Sequence, residues 1–263
     1  MTREFKDLTD WFHVNKLSLN LTKTYYMLFT NSKNAPKHRL DIKIGEQVVS
    51  HTSQTKFLGM VIDENLKWDK HIEITSKRIT SAFYAINRAK HSLNRQYLIQ
   101  LYNTLVYPHL LYGIILWGNT YTIHLNKLIV LQKKIIRTIT GSFYNAHTEP
   151  LLKSLKLLKI TDIYKLQVAK YVHSYVTNSL PLSLMEIFSP LNALNTRQGK
   201  ARKLRIPKTR TIVSTRSIAN MGPKIWNSIK PEIYLKKYPV NIVSKKCFVT
   251  RYKNILLDSY EMD

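Results

Sequence analysis

Several features that mark secreted, membrane-spanning or zinc-binding proteins are missing from this sequence. Cys247 is the single cysteine among 263 residues, so the chain can form neither an internal disulfide nor a zinc site from its own cysteines. Such cysteine usage is typical of a reducing compartment. The N-terminal residues MTREFKDLTDWF lack the basic start and the unbroken apolar run of a signal peptide. We therefore expect an intracellular protein, in the nucleus or the cytoplasm.

Long apolar runs are also missing. The most apolar window, residues 97–117, is interrupted by polar side chains and by Pro108, whereas a spanning helix needs about 20 predominantly apolar residues. This window therefore predicts a buried helix. Glycine and proline are scarce, at 7 and 9 residues, while 44% of the residues are hydrophobic. This composition favours a chain that folds over most of its length over a disordered one.

Acidic residues are the scarce charged class. The chain has 16 Asp and Glu against 41 Lys and Arg, a formal net charge of +25, and no acid between Ile74 and Thr148. This charge disfavours a compact state by self-repulsion unless a polyanion supplies counter-charge. Nucleic acid is the favoured polyanion, because each neutralised phosphate releases condensed counterions. An anionic membrane surface is the less favoured partner.

Motifs for catalysis are absent as well. The sequence contains no G-x-S-x-G, no P-loop and no G-x-G-x-x-G, and no two of the nine histidines stand two or four residues apart. The one acidic cluster is Asp63, Glu64, Asp69 and Glu73. These acids stand where turns and helix starts attract carboxylates, so we interpret Asp69 as a helix cap. The sequence predicts no catalytic residue and no metal site.

Apolar periodicity predicts a mostly α fold with a small α+β beginning. Residues 2–13 have helical spacing, residues 17–29 alternate as a strand does, and residues 41–49 and 55–62 indicate a hairpin and one more strand. Helical spacing then predicts helices over residues 69–92, 95–116 (bent near Pro108), 121–140, 151–157, 161–178, 217–229 and 244–260. We divide the chain into segments 1–66, 67–141, 142–194, 195–216 and 217–263, with 195–216 as a solvated, extended basic linker.

Basic residues without acidic neighbours are the candidates for phosphate contact. A solvated helical surface normally mixes both signs of charge, so helices with only positive charge favour a basic wall against phosphates. On or beside the predicted helices these residues are Lys77, Arg78, Arg88, Lys90, Arg95, Lys133, Lys134 and Arg137. The predicted linker adds Arg197, Lys200, Arg202, Lys203, Arg205, Lys208 and Arg210.

Three strings resemble the reverse transcriptases of non-LTR, LINE-like retrotransposons, particularly the jockey type. WFHVNKLSLNLTKTYYMLF is similar to the segment that closes the palm after the catalytic turn, and KFLGMVID to the primer grip. LYNTLVYPHLLYGIILWG, followed by LQKKIIRTITG and HTEPLL, is similar to the thumb helices and the region beyond them. The resemblance implies the C-terminal part of such an enzyme: a palm remnant over 1–66, a thumb-like bundle over 67–141 and further C-terminal helices.

The resemblance also implies roles for single positions. Phe57, Leu58 and Gly59 match the primer-grip turn, where Gly59 permits close backbone approach, and Lys23 matches a lysine near the incoming phosphate. The family's palm aspartates, a Tyr-x-Asp-Asp turn and an upstream Asp, have no counterpart here. The resemblance thus implies a fragment that binds primer-template RNA, DNA or their hybrid, with no cofactor of its own. Magnesium is expected only for a complete polymerase.

Two alternatives stay open at this point. Residues encoded upstream could complete the active site, so that the missing N-terminal polymerase portion would be a partner. Alternatively, the helices could form a repurposed module that binds nucleic acid or protein without a polymerase role, with the basic run as a nuclear import signal.

Overall fold

The computed structural model describes residues 2–29, 42–44, 47–191, 202–235 and 242–260. The chain divides into two compact units, Met1–His71 and Ile72–Asp263. The described short strands all lie in the first unit, and helices dominate the second. The mostly α fold class predicted from the sequence is therefore confirmed. No helix within the described ranges has the length and apolar character needed to cross a membrane.

The first unit combines one helix with three short strand pairs. Its elements are α1 Thr2–Val14, β1 Tyr25–Tyr26, β2 Lys43–Ile44, β3 Gln47–Val48, β4 Ser50–His51, β5 Gln54–Phe57 and β6 Met60–Asp63. Strands β1 and β4 pair in parallel, whereas β2 pairs with β3, and β5 with β6, in antiparallel fashion. The predicted turns at 31–37 and 45–46 lie outside the described residues.

The strand predicted over residues 17–29 is wrong for most of its length, because only β1 forms there. Asn20 explains the difference. Its carbonyl oxygen accepts hydrogen bonds from Lys23 N at 3.1 Å and Thr24 Oγ1 at 2.8 Å, and its Oδ1 accepts one from Thr22 Oγ1 at 2.6 Å. These local bonds close a 3₁₀ turn over Leu21–Lys23. Short-range bonds of this kind compete with a strand ladder.

The second unit is built from helices, the first of which begins just before it. The helices are α2 Asp69–Ala89, α3 Arg95–Leu101, α4 Tyr107–Leu111, α5 Ile114–Trp117, α6 Thr122–Thr140, α7 Thr148–Ser154, α8 Ile160–Val176, α9 Ile212–Arg216, α10 Ile218–Ser228, α11 Pro231–Tyr234 and α12 Lys245–Asp258. A 3₁₀ helix covers Leu182–Ile187. The predicted helices over 121–140, 161–178, 217–229 and 244–260 agree with α6, α8, α10 and α12 to within about two residues.

The helix predicted over residues 95–116 is not continuous. A π-helical turn over Tyr102–Val106 precedes Pro108, and the chain breaks again at Gly113, which has a φ of 63°. The widened turn ends where Tyr107 N donates to the Tyr102 carbonyl oxygen, directly before Pro108, which has no amide hydrogen to donate. Helix α4 ends at Leu111 because Tyr112 is extended, with a ψ of 117°, and Gly113 then adopts the left-handed conformation just before α5.

Helix α8 lies at the centre of the second unit and contacts α4, α5, α6, α10 and α12. A buried polar side chain, Gln132 of α6, links this centre to its neighbours. Gln132 Nε2 donates to Tyr102 Oη at 2.8 Å and to the Leu158 carbonyl oxygen at 2.9 Å, while its Oε1 accepts from Ile160 N at 3.0 Å. These bonds offset the cost of burying the amide.

Most of residues 202–211 of the predicted linker are exposed and non-helical, and Ile212–Arg216 form α9, but one short stretch around Leu204 packs against the helices. Leu204 is only 3% exposed, and the side chain of Asn227 holds its backbone at both N, 2.9 Å away, and O, 2.7 Å away. Arg205 N also donates to the Ser189 carbonyl oxygen at 2.9 Å. The prediction of a solvated segment is therefore wrong here, because one apolar side chain and paired backbone groups fix residues 203–205 to the helical core.

Candidate nucleic-acid interface

A surface groove of about 750 Å³ lies where the C-terminal ends of α2 and α6 meet the start of α3. Four of the predicted basic residues, Lys90, Arg95, Lys134 and Arg137, line it together. No carboxylate is found among the described residues that form this lining. We call this feature the basic groove. It brings together cations from three separate elements that are up to 47 residues apart in sequence.

The groove follows from how the two long helices bury their apolar faces. On α2, Ile72, Ile79 and Ile86 are buried. On α6 the buried face includes Leu128 and Ile135. Because apolar residues three, four or seven apart share one side of a helix, the basic side chains between them point outward. Because no acid occurs between Ile74 and Thr148, α6 and the part of α2 after Glu73 carry positive charge only.

Two arginines of the groove are also bound to the protein. Arg137 Nε donates to the Ala146 carbonyl oxygen at 2.9 Å, which ties the end of α6 to the loop that follows. Arg95 Nη2 donates to Ser154 Oγ at 3.0 Å. Lys90 and Lys134 are exposed. The lysines therefore present their charge to solvent, while the arginines also hold the groove's walls in place.

The remaining predicted residues on the helices lie outside the groove lining. Lys77 and Arg88 are exposed on α2, on a stripe that also carries Tyr84, since residues seven and eleven positions apart share a helical face. Lys77 pairs with Glu73 at 3.1 Å. Lys133 is exposed on α6.

Arg78 is exposed on α2 close to His109. Burial, together with repulsion from the Arg78 guanidinium, lowers the pKa of His109. The imidazole therefore adds no positive charge at neutral pH, so Arg78 supplies the charge at this position.

The described basic residues of segment 202–210 do not line the basic groove. Arg205 and Lys208 line a cavity of about 510 Å³ with Phe188 and Ser189. Lys203 Nζ donates to the Asn227 carbonyl oxygen, so its charge is used within the fold. Arg202 and Arg210 are exposed in the same extended segment. Arg197 and Lys200 lie outside the described residues.

The primer-grip-like residues form the tip of the hairpin between β5 and β6. Leu58 and Gly59 are its two central residues, with φ values of 46° and 81°. Positive φ at both positions is the geometry of a type I′ turn. Phe57 and Leu58 are both exposed, the latter by 70%. Lys23 is exposed in its 3₁₀ turn. Both features belong to the first unit, and their roles stay predictions.

The acidic cluster does not fit a divalent-ion site. The Asp63 carboxylate accepts hydrogen bonds from three backbone amides, those of Asn65 at 3.1 Å, Lys67 at 3.0 Å and Trp68 at 2.8 Å. Glu64 lies 3.6 Å from His51. Across the described parts of the chain, no three His, Cys, Asp or Glu side chains could hold one ion. Of the four carboxylates, Asp63 holds the turn before α2.

The prediction that Asp69 caps α2 is wrong by one position, because Asp69 is the first residue of the helix itself. A carboxylate in the first turn still faces the positive end of the helix dipole. The Asp63 carboxylate accepts a hydrogen bond from the Trp68 amide just before this turn, so Asp63 provides the acceptor that a helix cap would otherwise supply.

Two residues beside the groove escaped the sequence analysis. Phe143 and Tyr144, in the loop after α6, are 84% and 88% exposed, and Tyr144 lines the groove. The available signal was a pair of adjacent aromatics outside any helical spacing, directly after a basic helix end. Tyr102 and Trp117, which recur at helical spacing, are buried in the core instead, whereas Tyr112 of the same stretch is 53% exposed.

No protein-family model matches this chain, and no solved structure matches it. The curated proteins that are similar in sequence include three from Drosophila mobile elements. The RNA-directed DNA polymerase from mobile element jockey of Drosophila funebris is 30% identical over 179 residues, which is 66% of this chain and 19% of the relative. The "Probable RNA-directed DNA polymerase from transposon X-element" of Drosophila melanogaster is 24% identical over 206 residues, covering 77% of this chain and 22% of the relative.

The third relative, the "Probable RNA-directed DNA polymerase from transposon BS" of Drosophila melanogaster, is 27% identical over 165 residues, which is 60% of this chain and 17% of the relative. In each case the chain spans about a fifth of the relative's length. All three relatives carry the name of the same enzyme and come from mobile elements. The chain is therefore similar to a part of the RNA-directed DNA polymerases of jockey-like non-LTR retrotransposons.

Proposed function

We propose that this chain is the C-terminal, nucleic-acid-binding part of a non-LTR retrotransposon reverse transcriptase, and that its basic groove contacts the phosphates of a primer-template. The observation that carries the proposal is the convergence of Lys90, Arg95, Lys134 and Arg137 in one groove whose described lining has no carboxylate. The relatives' names, which describe RNA-directed DNA polymerases, support the same class of ligand.

Binding in this groove would be electrostatic and independent of base sequence. Ammonium and guanidinium groups that neutralise phosphates release condensed counterions, so affinity falls steeply as salt rises. Arg95 and Arg137 are held by Ser154 and Ala146, which reduces the side-chain freedom that binding must remove. The lysines contribute mobile point charges that follow a phosphate backbone of varying sequence.

We further propose that the chain binds without performing nucleotidyl transfer. The sequence holds no Tyr-x-Asp-Asp turn. Asp63 is committed to three backbone amides, and Glu73 to Lys77. A catalytic step would therefore need carboxylates from outside this chain, together with the divalent ions they hold.

The test is binding of a labelled RNA/DNA hybrid by fluorescence anisotropy across a salt series. We expect the double variant Lys90→Gln/Lys134→Gln to bind about tenfold more weakly at low salt, with a log–log salt slope shallower by about 2. The matched control is Lys224→Gln/Lys230→Gln, which removes two exposed charges that do not line the groove. The control should keep the wild-type slope and affinity to within about twofold.

Equal behaviour of the two double variants, or wild-type affinity that does not change with salt, would contradict the proposal. Primer extension with magnesium and nucleotides, run on the same samples, should yield no product. Extension by this chain alone would show that the catalytic part of the proposal is wrong.

A further inference from the structure

The two most exposed aromatic side chains among the described residues stand next to each other beside the basic groove. Phe143 is 84% and Tyr144 88% exposed. Exposed rings forgo the burial that usually stabilises large apolar side chains. A cluster of exposed apolar side chains is typical of a surface that contacts a ligand or partner.

The loop that carries these rings is fixed by hydrogen bonds at both ends. Arg137 Nε donates to the Ala146 carbonyl oxygen at 2.9 Å, and Ala146 N donates to the Phe143 carbonyl oxygen at 3.1 Å. Before the rings, Ser142 N donates to the Arg137 carbonyl oxygen at 3.1 Å. The rings therefore extend from an ordered turn, which lowers the entropy lost when a flat ligand stacks on them.

The charge beside the rings selects the ligand. Tyr144 shares the groove lining with Lys90, Lys134 and Arg137, and the described lining carries no carboxylate. An apolar protein segment would have to desolvate these cations without compensation. Nucleic acid is a polyanion that also carries flat rings, so its phosphates can pair with the cations and its bases can stack on the aromatic side chains.

The strand must be unpaired where it meets these rings. Inside a duplex each base stacks on its neighbours, so its faces are covered, whereas bases of a single strand can turn out and stack on aromatic side chains. We propose that Phe143 and Tyr144 form a stacking platform for bases of a single-stranded RNA or DNA segment whose phosphates lie in the basic groove. This inference rests on the proposed function and names its ligand more closely.

The experiment compares a labelled single strand of about 12 nucleotides with a blunt RNA/DNA hybrid. We expect Phe143→Leu/Tyr144→Leu in the full chain to bind the single strand about tenfold more weakly, and the hybrid to within about twofold of wild type. Leucine keeps an apolar side chain and removes the ring. Circular dichroism and thermal unfolding should match wild type, because both side chains are exposed.

A second variant reports stacking directly. Tyr144→Trp keeps a ring of the required kind, so single-strand affinity should stay within about threefold of wild type or increase. Its added indole emission should be quenched by the single strand and left unchanged by the hybrid. Emission that does not change with bound single strand would overturn the proposal.

The two sets of variants distinguish failure of the stacking platform from failure of the proposed function. If Lys90→Gln/Lys134→Gln weakens both ligands while Phe143→Leu/Tyr144→Leu changes neither, the groove binds nucleic acid and the stacking platform is wrong. An equal loss for strand and hybrid in the leucine variant would also overturn stacking. If the lysine variant binds both ligands as wild type does, the proposed function itself fails.

Discussion

The phenol of Tyr260 donates a 2.7 Å hydrogen bond to Oδ2 of Asp162, and so joins the C-terminal end of the described chain to the first turn of α8. Both side chains are buried, Asp162 to 1% exposure. Lys159 N donates to the same phenol oxygen at 2.9 Å, and Lys165 Nζ donates to Asp162 Oδ1 at 2.8 Å. Burial, reinforced by the Asp162 charge, raises the pKa of Tyr260, which keeps the phenol protonated as the donor.

We predict that Tyr260→Phe lowers the free energy of unfolding by about 1.5–3 kcal/mol. The substitution removes a hydrogen bond to a buried carboxylate and leaves the Lys159 amide without its acceptor. Urea unfolding followed by circular dichroism measures the loss. The control is Lys165→Met, whose half-exposed ammonium should contribute less than about 1 kcal/mol. Equal losses for the two variants would show that the phenol is not the main partner of Asp162.

A second prediction concerns His173, which is buried and stacked on Phe248 at 4.8 Å. Its Nε2 lies 2.9 Å from the Val243 carbonyl oxygen, and its Nδ1 has no hydrogen-bond partner among the described residues. Burial lowers the pKa of His173 below its usual 6.5; the hydrogen bond to the Val243 carbonyl oxygen partly offsets this shift, and repulsion from Lys245 adds to it. Protonation would place a buried charge on a nitrogen without an acceptor.

Because the folded state holds this proton less tightly than the unfolded state does, the associated stability is complete above about pH 6.5 and is lost as the pH falls below it. We expect the urea midpoint to decrease between pH 7 and pH 5. His173→Gln keeps a donor for Val243 and does not titrate, so its midpoint should decrease less. An identical pH profile for both proteins would contradict this prediction.

The third prediction concerns the hairpin tip. Leu58 has a φ of 46°, a conformation that costs a leucine roughly 1–2 kcal/mol and that asparagine tolerates. Leu58→Asn should therefore stabilise the hairpin by about 0.5–1 kcal/mol, measured by amide exchange of residues 56–61. Leu58→Val should instead accelerate exchange, because a branched Cβ disfavours positive φ more strongly. Faster exchange in the asparagine variant would contradict the strain argument.

The fourth prediction separates charge from positioning at Arg137. Arg137→Lys keeps the positive charge but loses the guanidinium geometry that reaches the Ala146 carbonyl oxygen. We expect faster amide exchange over residues 142–146, about fivefold weaker binding of a single strand, and hybrid binding within about twofold of wild type. If both ligands weaken equally, Arg137 acts as a phosphate contact and not through the loop.

Much of the helical architecture could be predicted because its signals are local. Helix α6 has apolar residues at helical spacing and is capped by Gly141, and the side chain of Asn94 caps α3 by accepting from the Tyr97 amide. The strand prediction for residues 17–29 failed because Asn20 makes local hydrogen bonds that close a turn, and the alternating apolar pattern gave no sign of them. The prediction at Leu204 failed for a similar reason. Composition indicated a solvated linker, but the buried Leu204 side chain fixes this part of the chain.

The sequence by itself determined the helical class, the one-signed charge and the resemblance to retrotransposon polymerases, because these depend on residue type and order along the chain. Only the tertiary structure decided which cations lie together. Lys90, Arg95, Lys134 and Arg137 meet in the groove, while Lys77 and Arg88 lie on another stripe of α2. The physical reason is that helix packing brings distant residues together, so a shared groove is a property of the assembled helices and not of any one segment.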